Sequence, residues 1–181
     1  MGAQIAAVAM DGEAVPAVAA EPFEVFYRAQ VDRVYRALTV TLGDPQLARE
    51  ATDEAMARTY ANWSRVRGLD NPGGWVYRVG LNWATSWWRK RRRERALPAA
   101  GSDPHVAPPD PAGTAAAEAL ARLALPQRAV VVCRVLLDMS TAETAALLGV
   151  AEGTVKSRLA RALAALRTAL TEPPTDHQEG S

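Results

Sequence analysis

At 181 residues with an apolar share of 49%, the chain supports one or two small domains with true cores, and no apolar run approaches the ~20 residues of a membrane span. The net charge of +1 hides a segregation: Glu21 to Ala57 holds four Arg against seven acids, whereas Arg58 to Arg95 holds ten basic residues against only Asp70 and Glu94. Such a basic block points to a polyanion, and the acidic half needs a different partner. Two His and the one cysteine, Cys133 in the apolar run VVVCRV, give no internal disulfide and no catalytic or metal-binding constellation. Cys133 reads as a buried structural thiol rather than a nucleophile, which suits a reducing, cytoplasmic location.

Residues 1–20 are Ala- and Val-rich but acidic, without the basic start of a signal peptide. They lack helical periodicity and read as an arm. From Phe23 the residues Phe26, Tyr27, Val31, Val34, Tyr35 and Leu38 recur at intervals of three and four, one apolar stripe of an amphipathic helix that Gly43 ends. Asp44-Pro45 restarts the chain as N-cap and first helical residue. In QLAREATDEAMARTYANW, Leu47, Ala51, Ala55 and Tyr60 share one side, and Glu50, Asp53 and Glu54 the other. That acidic side is either a solvated face or a dock for a basic partner, since no His or Cys completes a metal or acid–base site.

Ser64 to Gly74, SRVRGLDNPGG, reads as a loop, and Asn71-Pro72 caps a third helix, WVYRVGLNWATSWWRKRRRER. Its Val76, Val79, Trp83 and Trp87 fall on an inward stripe. Arg78, Asn82, Thr85, Ser86 and Arg89 lie on another side, mixing donors that read bases with charges that grip phosphates. Trp75 and Trp88 fit the stripe less well; stacking on unpaired bases and a lid over the core both remain open. The run Arg89 to Arg93 is a phosphate-binding face without sequence preference of its own.

Ala96 to Thr114 carries five prolines and no apolar period, the composition of a flexible linker. It holds His105, which has no partner there. Roughly twenty residues at ~3.4 Å each span about 70 Å, about the separation of two DNA sites two helical turns apart.

A second helical unit starts near Ala115, with Leu120, Leu123, Val130, Val131, Cys133, Val135 and Leu136 as expected core and Pro126 opening a fresh helix. Ser140 and Glu143 form a capping-box pattern, S-x-x-E. Gly149 suits the left-handed turn between two helices. Val155, Leu159, Ala162, Leu163 and Leu166 anchor the second of these, leaving Gly153, Thr154, Ser157, Arg158 and Arg161 outward. This is the pattern of a helix-turn-helix, although periodicity alone also leaves open an ordinary helical hairpin with a basic face. The expected fold is all-α: two small helical domains, 21–95 and 115–170, joined by a Pro-rich linker at 96–114, between an arm at 1–20 and a tail at 171–181.

LPQRAVVVCRVLLDMSTAETAALLGVAEGTVKSRLARALAALR resembles the fourth conserved region of bacterial RNA polymerase sigma factors of the extracytoplasmic-function (ECF) type, sigma-70 family, with GTVKSRLARA its most specific part. DNPGGWVYRVGLNWATSWWRKRRR resembles the second region's promoter-melting loop and −10 helix. The resemblance implies a transcription initiation factor without enzymatic activity, cofactor or metal, whose partners are the polymerase core and promoter DNA. Glu50, Asp53 and Glu54 would dock on the clamp helices. Arg65, Arg67 and Asn71 lie in the loop that would hold a flipped −10 base. Trp75, Arg78, Asn82, Thr85, Ser86 and Arg89 would contact the −10 duplex edge and melted strand. Residues around Leu125 to Arg134 would meet the flap, and Thr154, Lys156, Ser157, Arg158 and Arg161 would read the −35 element. An anti-sigma partner is a family expectation.

The chain departs from the family pattern at Thr52-Asp53, at Leu81 and Thr85-Ser86, and at Ala151, where a capping Ser is usual. Competing readings are a helix-turn-helix regulator that acts without polymerase and a sigma-like protein that only sequesters it. The first leaves the acidic helix and the Trp/Arg helix unused.

Overall fold

A computed structural model describes residues 22–95 and 115–171, with side chains to Arg91 in the first stretch. The arm, the linker with His105, the tail after Thr171 with His177, and the side chains of Arg92 and Arg93 lie outside the described residues; Thr171, expected in the tail, is the last residue of α8. No strand occurs among the described residues; the elements are helices α1 (Phe23–Leu42), α2 (Pro45–Ala61), α3 (Trp63–Val66), α4 (Pro72–Arg95), α5 (Ala115–Ala121), α6 (Leu125–Val131), α7 (Thr141–Leu148) and α8 (Glu152–Thr171). A π-helical turn, Val132–Leu136, continues α6. The fold is all-α, as the periodicity predicts.

Local signals set the helix ends. Gly43, at φ 70°, ends α1 in the left-handed region and returns its N–H to the Thr39 carbonyl, a conformation that costs a residue with a Cβ more. The Asp44 carboxylate then accepts from the Leu47 N–H at 3.0 Å, with Pro45 at the first position, where a missing N–H loses no helical bond. Asn71 caps α4 by accepting from the Gly74 N–H at 2.7 Å.

Helices α1, α2 and α4 pack around Val34, Leu38, Ala51, Ala55, Val76 and Tyr77, all essentially sealed from solvent. The α2–α4 approach is close because Gly80 has no side chain: a Cβ there would sit 2.8 Å from Leu38 Cδ1 and 3.1 Å from the Ala51 carbonyl oxygen. Buried Thr41, Thr52 and Thr59 satisfy their hydroxyls on the carbonyls one turn back, at 2.7–2.8 Å, so the unusual Thr52 costs no orphan polar group. Thr41 also shares a 2.7 Å hydrogen bond with the Tyr77 hydroxyl.

Some sequence expectations are corrected here. Tyr60 is 65% exposed rather than part of the inward face of α2, its ring 5.1 Å from Phe23 in an edge-on contact. Tyr27, expected on the inward stripe of α1, is also exposed. The stretch Ser64–Gly74 is not all loop, since α3 runs into it and buries Val66 completely. On α4 the fully buried positions are Val76, Tyr77 and Ala84, while Val79, Trp83 and Trp87 cover the core as half-buried side chains.

In the second unit, α7 and α8 meet at Gly149, φ 66°. The Ser140 hydroxyl accepts from the Glu143 N–H at 3.1 Å while the Glu143 carboxylate accepts from the Ser140 N–H at 2.7 Å, completing the predicted capping box. Val130, Ala145 and Val155 form one small core and Leu123, Val131 and Ala162 another. Val135 and Leu136 are 62% and 40% exposed, against expectation. The π turn is the reason. A Leu137 N–H to Val132 carbonyl bond at 3.0 Å spans five residues instead of four, so the helix faces rotate by one residue and Leu137 and Met139 take the buried places.

The two units pack on each other. Ala129, Val132, Cys133, Leu137 and Met139 belong to the same apolar cluster as the cores of α1, α2 and α4. Arg33 donates to the Leu136 carbonyl at 3.3 Å across this junction.

Candidate nucleic-acid interface

Two helices present donor-rich faces, α4 and α8. On α4 the spacing of three and four that buries Val76, Tyr77, Gly80, Leu81 and Ala84 turns Arg78, Asn82, Ser86 and Arg89 outward, with Thr85 half-buried. These residues are pre-ordered by the helix itself. Thr85 donates to the Leu81 carbonyl at 2.9 Å, and Arg89 reaches the Thr85 carbonyl at 3.4 Å and the Ser86 hydroxyl at 3.3 Å. Arg91, in the basic run, stacks over Trp87 with its guanidinium 4.5 Å from the ring centroid, a cation–π contact that fixes the charge against the helix.

Trp75 and Trp88 are both half-buried and packed on the main core. The lid reading therefore accounts for most of their surface. In the preceding segment Arg65 and Arg67 are exposed, and the Asn71 side-chain oxygen is committed to its cap.

On α8, Val155 and Ala162 are buried beneath half-buried Leu159, Leu163 and Leu166. That leaves Lys156, Ser157 and Arg161 exposed with Thr154 and Arg158 half-buried. Ser157 Oγ accepts from Arg161 Nη2 at 3.2 Å, so the arginine lies along the helix flank. Ala151 is the residue before α8, and its carbonyl accepts from Thr154 at 2.9 Å and Val155 at 3.2 Å. It has no side-chain acceptor to offer.

The structure brings the two donor-rich faces to one place. Arg78, Asn82 and Thr85 of α4 and Arg158 of α8 line a single cleft of about 190 Å³, closed by Leu81, Leu125, Leu147 and Leu148. Arg78 Nη1 donates to the Ala146 carbonyl of α7 at 3.4 Å. Sequence periodicity had no signal for this meeting, nor for Leu81 and Leu147 as its apolar walls.

The acidic face of α2 lies apart from these. Asp53 is exposed and lies beside a hollow of about 290 Å³ shared with Phe23, Tyr27, Met56, Ala57 and Tyr60. Glu54 pairs with Arg58 at 2.7 Å, and Glu50 accepts from Gln46 at 3.3 Å. The aromatic neighbours of Asp53 are a feature that the sequence reading missed; Tyr60 was visible in the chain but assigned to the wrong face.

Burial governs the ionisation of the junction. The Tyr77 phenol, sealed and close to Cys133, is pushed far above its ordinary value and stays neutral, with the Thr41 hydrogen bond opposing the shift. Burial pushes the Cys133 thiol up to about 12, so it is not a thiolate near neutrality. Arg128, half-buried at the same junction, has its pKa lowered by desolvation and packs over Gly43, where a Cβ would lie 3.1 Å from its Nη1. Among the described residues no cluster of His, Cys, Asp and Glu could hold a metal ion, and no helix is long and apolar enough to cross a membrane.

Residues 26–94 match the Sigma-70 region 2 family and residues 114–166 the Sigma-70, region 4 family. The chain belongs to the sigma-70 family. Its relatives place it in the ECF group. It is 38% identical over 159 residues to the RNA polymerase sigma-E factor of Streptomyces coelicolor, covering 85% of this chain and 89% of the relative. It is 32% identical over 146 residues to the ECF RNA polymerase sigma factor SigM of Mycobacterium tuberculosis, covering 80% and 74%. Among solved structures it shares its fold with the sigma factor RpoE of Bartonella quintana, seen with the anti-sigma factor NepR: TM-score 0.68, 21% identity, 82% of this chain and 96% of that one. A second is CnrH in complex with the cytosolic domain of CnrY, at TM-score 0.54, 22% identity and coverage of 82% and 86%. In this sigma-70 protein, α4 lies within the region 2 match up to its last residue, and α8 begins and mostly lies within the region 4 match.

Proposed function

We propose that this ECF-type sigma-70 protein is a transcription initiation factor that binds the RNA polymerase core and directs it to promoters with a −10 and a −35 element. The observation that carries the reading is the presence of two donor-rich helix faces, one in each family region, with an acidic face besides. Residues 21–95 form the first domain, 96–114 the linker and 115–170 the second domain, flanked by the arm at 1–20 and the tail at 171–181.

In this reading Glu50, Asp53 and Glu54 dock on the clamp helices, with Glu54 already paired to Arg58, and residues 125–134 meet the flap. Arg78, Asn82, Thr85, Ser86 and Arg89 hold the −10 duplex edge and melted strand, Trp75 bordering them, and Arg65, Arg67 and Asn71 frame a flipped base. Thr154, Lys156, Ser157, Arg158 and Arg161 read the −35 element. Trapping unstacked bases, which cost a few kcal/mol each to extrude, supplies the free energy of opening; no bond chemistry belongs to this chain. Its place of work is the cytoplasm, where DNA and polymerase are. The anti-sigma factor seen with RpoE supports an anti-sigma partner for this chain too.

Run-off transcription with core polymerase on a genomic fragment library tests the function. Discrete transcripts sharing upstream elements at two positions are expected. Specific DNA binding without a stable core complex would instead establish the regulator that works without polymerase, and a core complex that yields no transcripts would establish sequestration.

A further inference from the structure

We propose that the cleft between α4, α6, α7 and α8 binds a compact phosphate-type anion, held by Arg78 from the first unit and Arg158 from the second. The anion would neutralise guanidiniums also assigned to promoter DNA, but its binding requires no DNA and is argued from the cleft alone.

Three observations carry it. The cleft takes a cation from each unit and no acid: Arg78 and Arg158 line it, and neither Asp nor Glu is among its lining residues. Leu81, Leu125, Leu147 and Leu148 wall it, and a guanidinium beside apolar surface without a counter-charge is costly. Arg128, half-buried at the same junction, adds a further cation with no ion pair and a buried Nε without a hydrogen-bond partner. Second, the donors are uncommitted. A guanidinium carries several N–H donors in a fixed fork; Arg78 spends one on the Ala146 carbonyl, at a long 3.4 Å. The Arg158 side chain makes no hydrogen bond or ion pair among the described residues, and the Asn82 side-chain amide is likewise unused. Thr85 instead gives its hydroxyl proton to the Leu81 carbonyl at 2.9 Å, so it bounds the cleft without donating into it. Two guanidiniums and an amide call for an acceptor-rich anion. A planar carboxylate presents its oxygens to one side, whereas a tetrahedral phosphate offers oxygens to donors arriving from two helices. Third, the size fits. About 190 Å³ is room for roughly six waters at ~30 Å³ each, enough for one or two phosphoryl groups and under the ~300 Å³ at which pockets begin to take drug-sized ligands.

Isothermal titration calorimetry of the full-length chain with inorganic pyrophosphate, at an ionic strength held constant with sodium chloride, tests the site. Saturable binding of one anion per chain is expected, and sodium acetate in its place should not bind. Arg78→Ala and Arg158→Ala should each weaken binding roughly tenfold or more, the worth of a charge-assisted hydrogen bond, with unchanged far-ultraviolet circular dichroism. Arg158→Lys, which keeps the charge and loses the fork, should weaken it less. Arg28→Ala removes an exposed arginine of α1 outside the cleft and should leave the affinity as it is. Because the two arginines come from different units, pyrophosphate should also slow the reaction of Cys133, the single cysteine, buried at their junction, with Ellman's reagent. No saturable binding, or binding that survives both alanine variants, overturns the site. A loss from Arg28→Ala as large as that from Arg158→Ala overturns it in favour of diffuse charge, and an unchanged thiol rate at saturation overturns the bridge between the units. All of these readouts are taken without polymerase or promoter, so a failed transcription assay would leave them standing.

Discussion

Ala151→Ser is the sharpest test of how the second unit is built. Ala151 occupies the N-cap of α8, the helix that carries Thr154, Lys156, Ser157, Arg158 and Arg161, yet offers no side-chain acceptor to the first turn. The Thr154 and Val155 amides already bond the Ala151 carbonyl, which leaves the earlier donors to water. A serine hydroxyl would accept from the second amide, that of Gly153, and add one satisfied donor at an exposed position, worth about 1 kcal/mol. The third helical residue is Thr154 rather than Glu, so the reciprocal half of a capping box is missing and the gain stays near that central value. For a unit of ~60–100 residues melting alone this raises Tm by about 4–8 °C, and by roughly half if both units melt together. Differential scanning calorimetry of the full chain measures it. Ser140→Ala, which removes the working cap of α7, is the internal comparison and should lower stability by a similar amount. If Ser140→Ala lowers Tm while Ala151→Ser leaves it unchanged, α8 does not begin at Glu152 and the cap argument fails.

The remaining tests address the junction, a cap and the face proposed for DNA. Hydrogen bonds from the Ser140 hydroxyl and amide hold the Glu143 carboxyl below its ordinary value; a lowered carboxylate pKa stabilises above its unfolded value and loses that as pH falls through the folded one. Wild-type chain should therefore lose more stability than Glu143→Gln between pH ~5 and ~3, read as urea midpoints at each pH; parallel curves would refute the box as the cause. Tyr77→Phe should cost about 1 kcal/mol by urea unfolding, near the middle of the range because Thr41 keeps its bond to the Ala37 carbonyl at 2.8 Å. Gly43→Ala should cost ~1 kcal/mol through its positive φ, and loss well beyond that would show that Arg128 cannot yield. Lys156→Ala should reduce the salt slope of holoenzyme binding to its promoter by about one while leaving sequence preference alone; an altered −35 preference would make Lys156 a base reader.

The helix ends were legible in the chain because they are written in local chemistry. Gly43, Asp44-Pro45, Asn71-Pro72, Ser140 with Glu143, and Gly149 each act within a turn of their own position, and each is found where it was expected. The outward faces of α4 and α8 were legible for the same reason, since a period of 3.6 sorts side chains without reference to a neighbour. What was hidden is non-local. The run VVVCRVLL is apolar at nearly every position, so its period names no face, and the π turn that exposes Val135 and Leu136 leaves no mark on composition. The Thr41–Tyr77 pair spans 36 residues. Tyr60 could be drawn inward only because a tyrosine on an apolar side reads as core, whereas its exposed ring sits beside Asp53 above an aromatic hollow. The meeting of Arg78 with Arg158 required knowing which face of each unit the other covers, and a linker of prolines says only that they can reach one another.

The π turn at Val132–Leu136 has a consequence for how this chain can vary. Its five-residue hydrogen-bonded ring holds one residue more than an α-helical turn needs. Deleting one of the exposed residues of the turn, Val135 or Leu136, would let the segment rewind as ordinary helix while the residues after it keep their face, because the wide turn has already absorbed the extra residue. Leu137 and Met139 would stay in the cluster they share with α1, α2 and α4. Single-residue gaps between relatives are therefore expected to be tolerated at this turn, whereas a gap in the regular turns of α6 would rotate everything after it by roughly 100° about the axis.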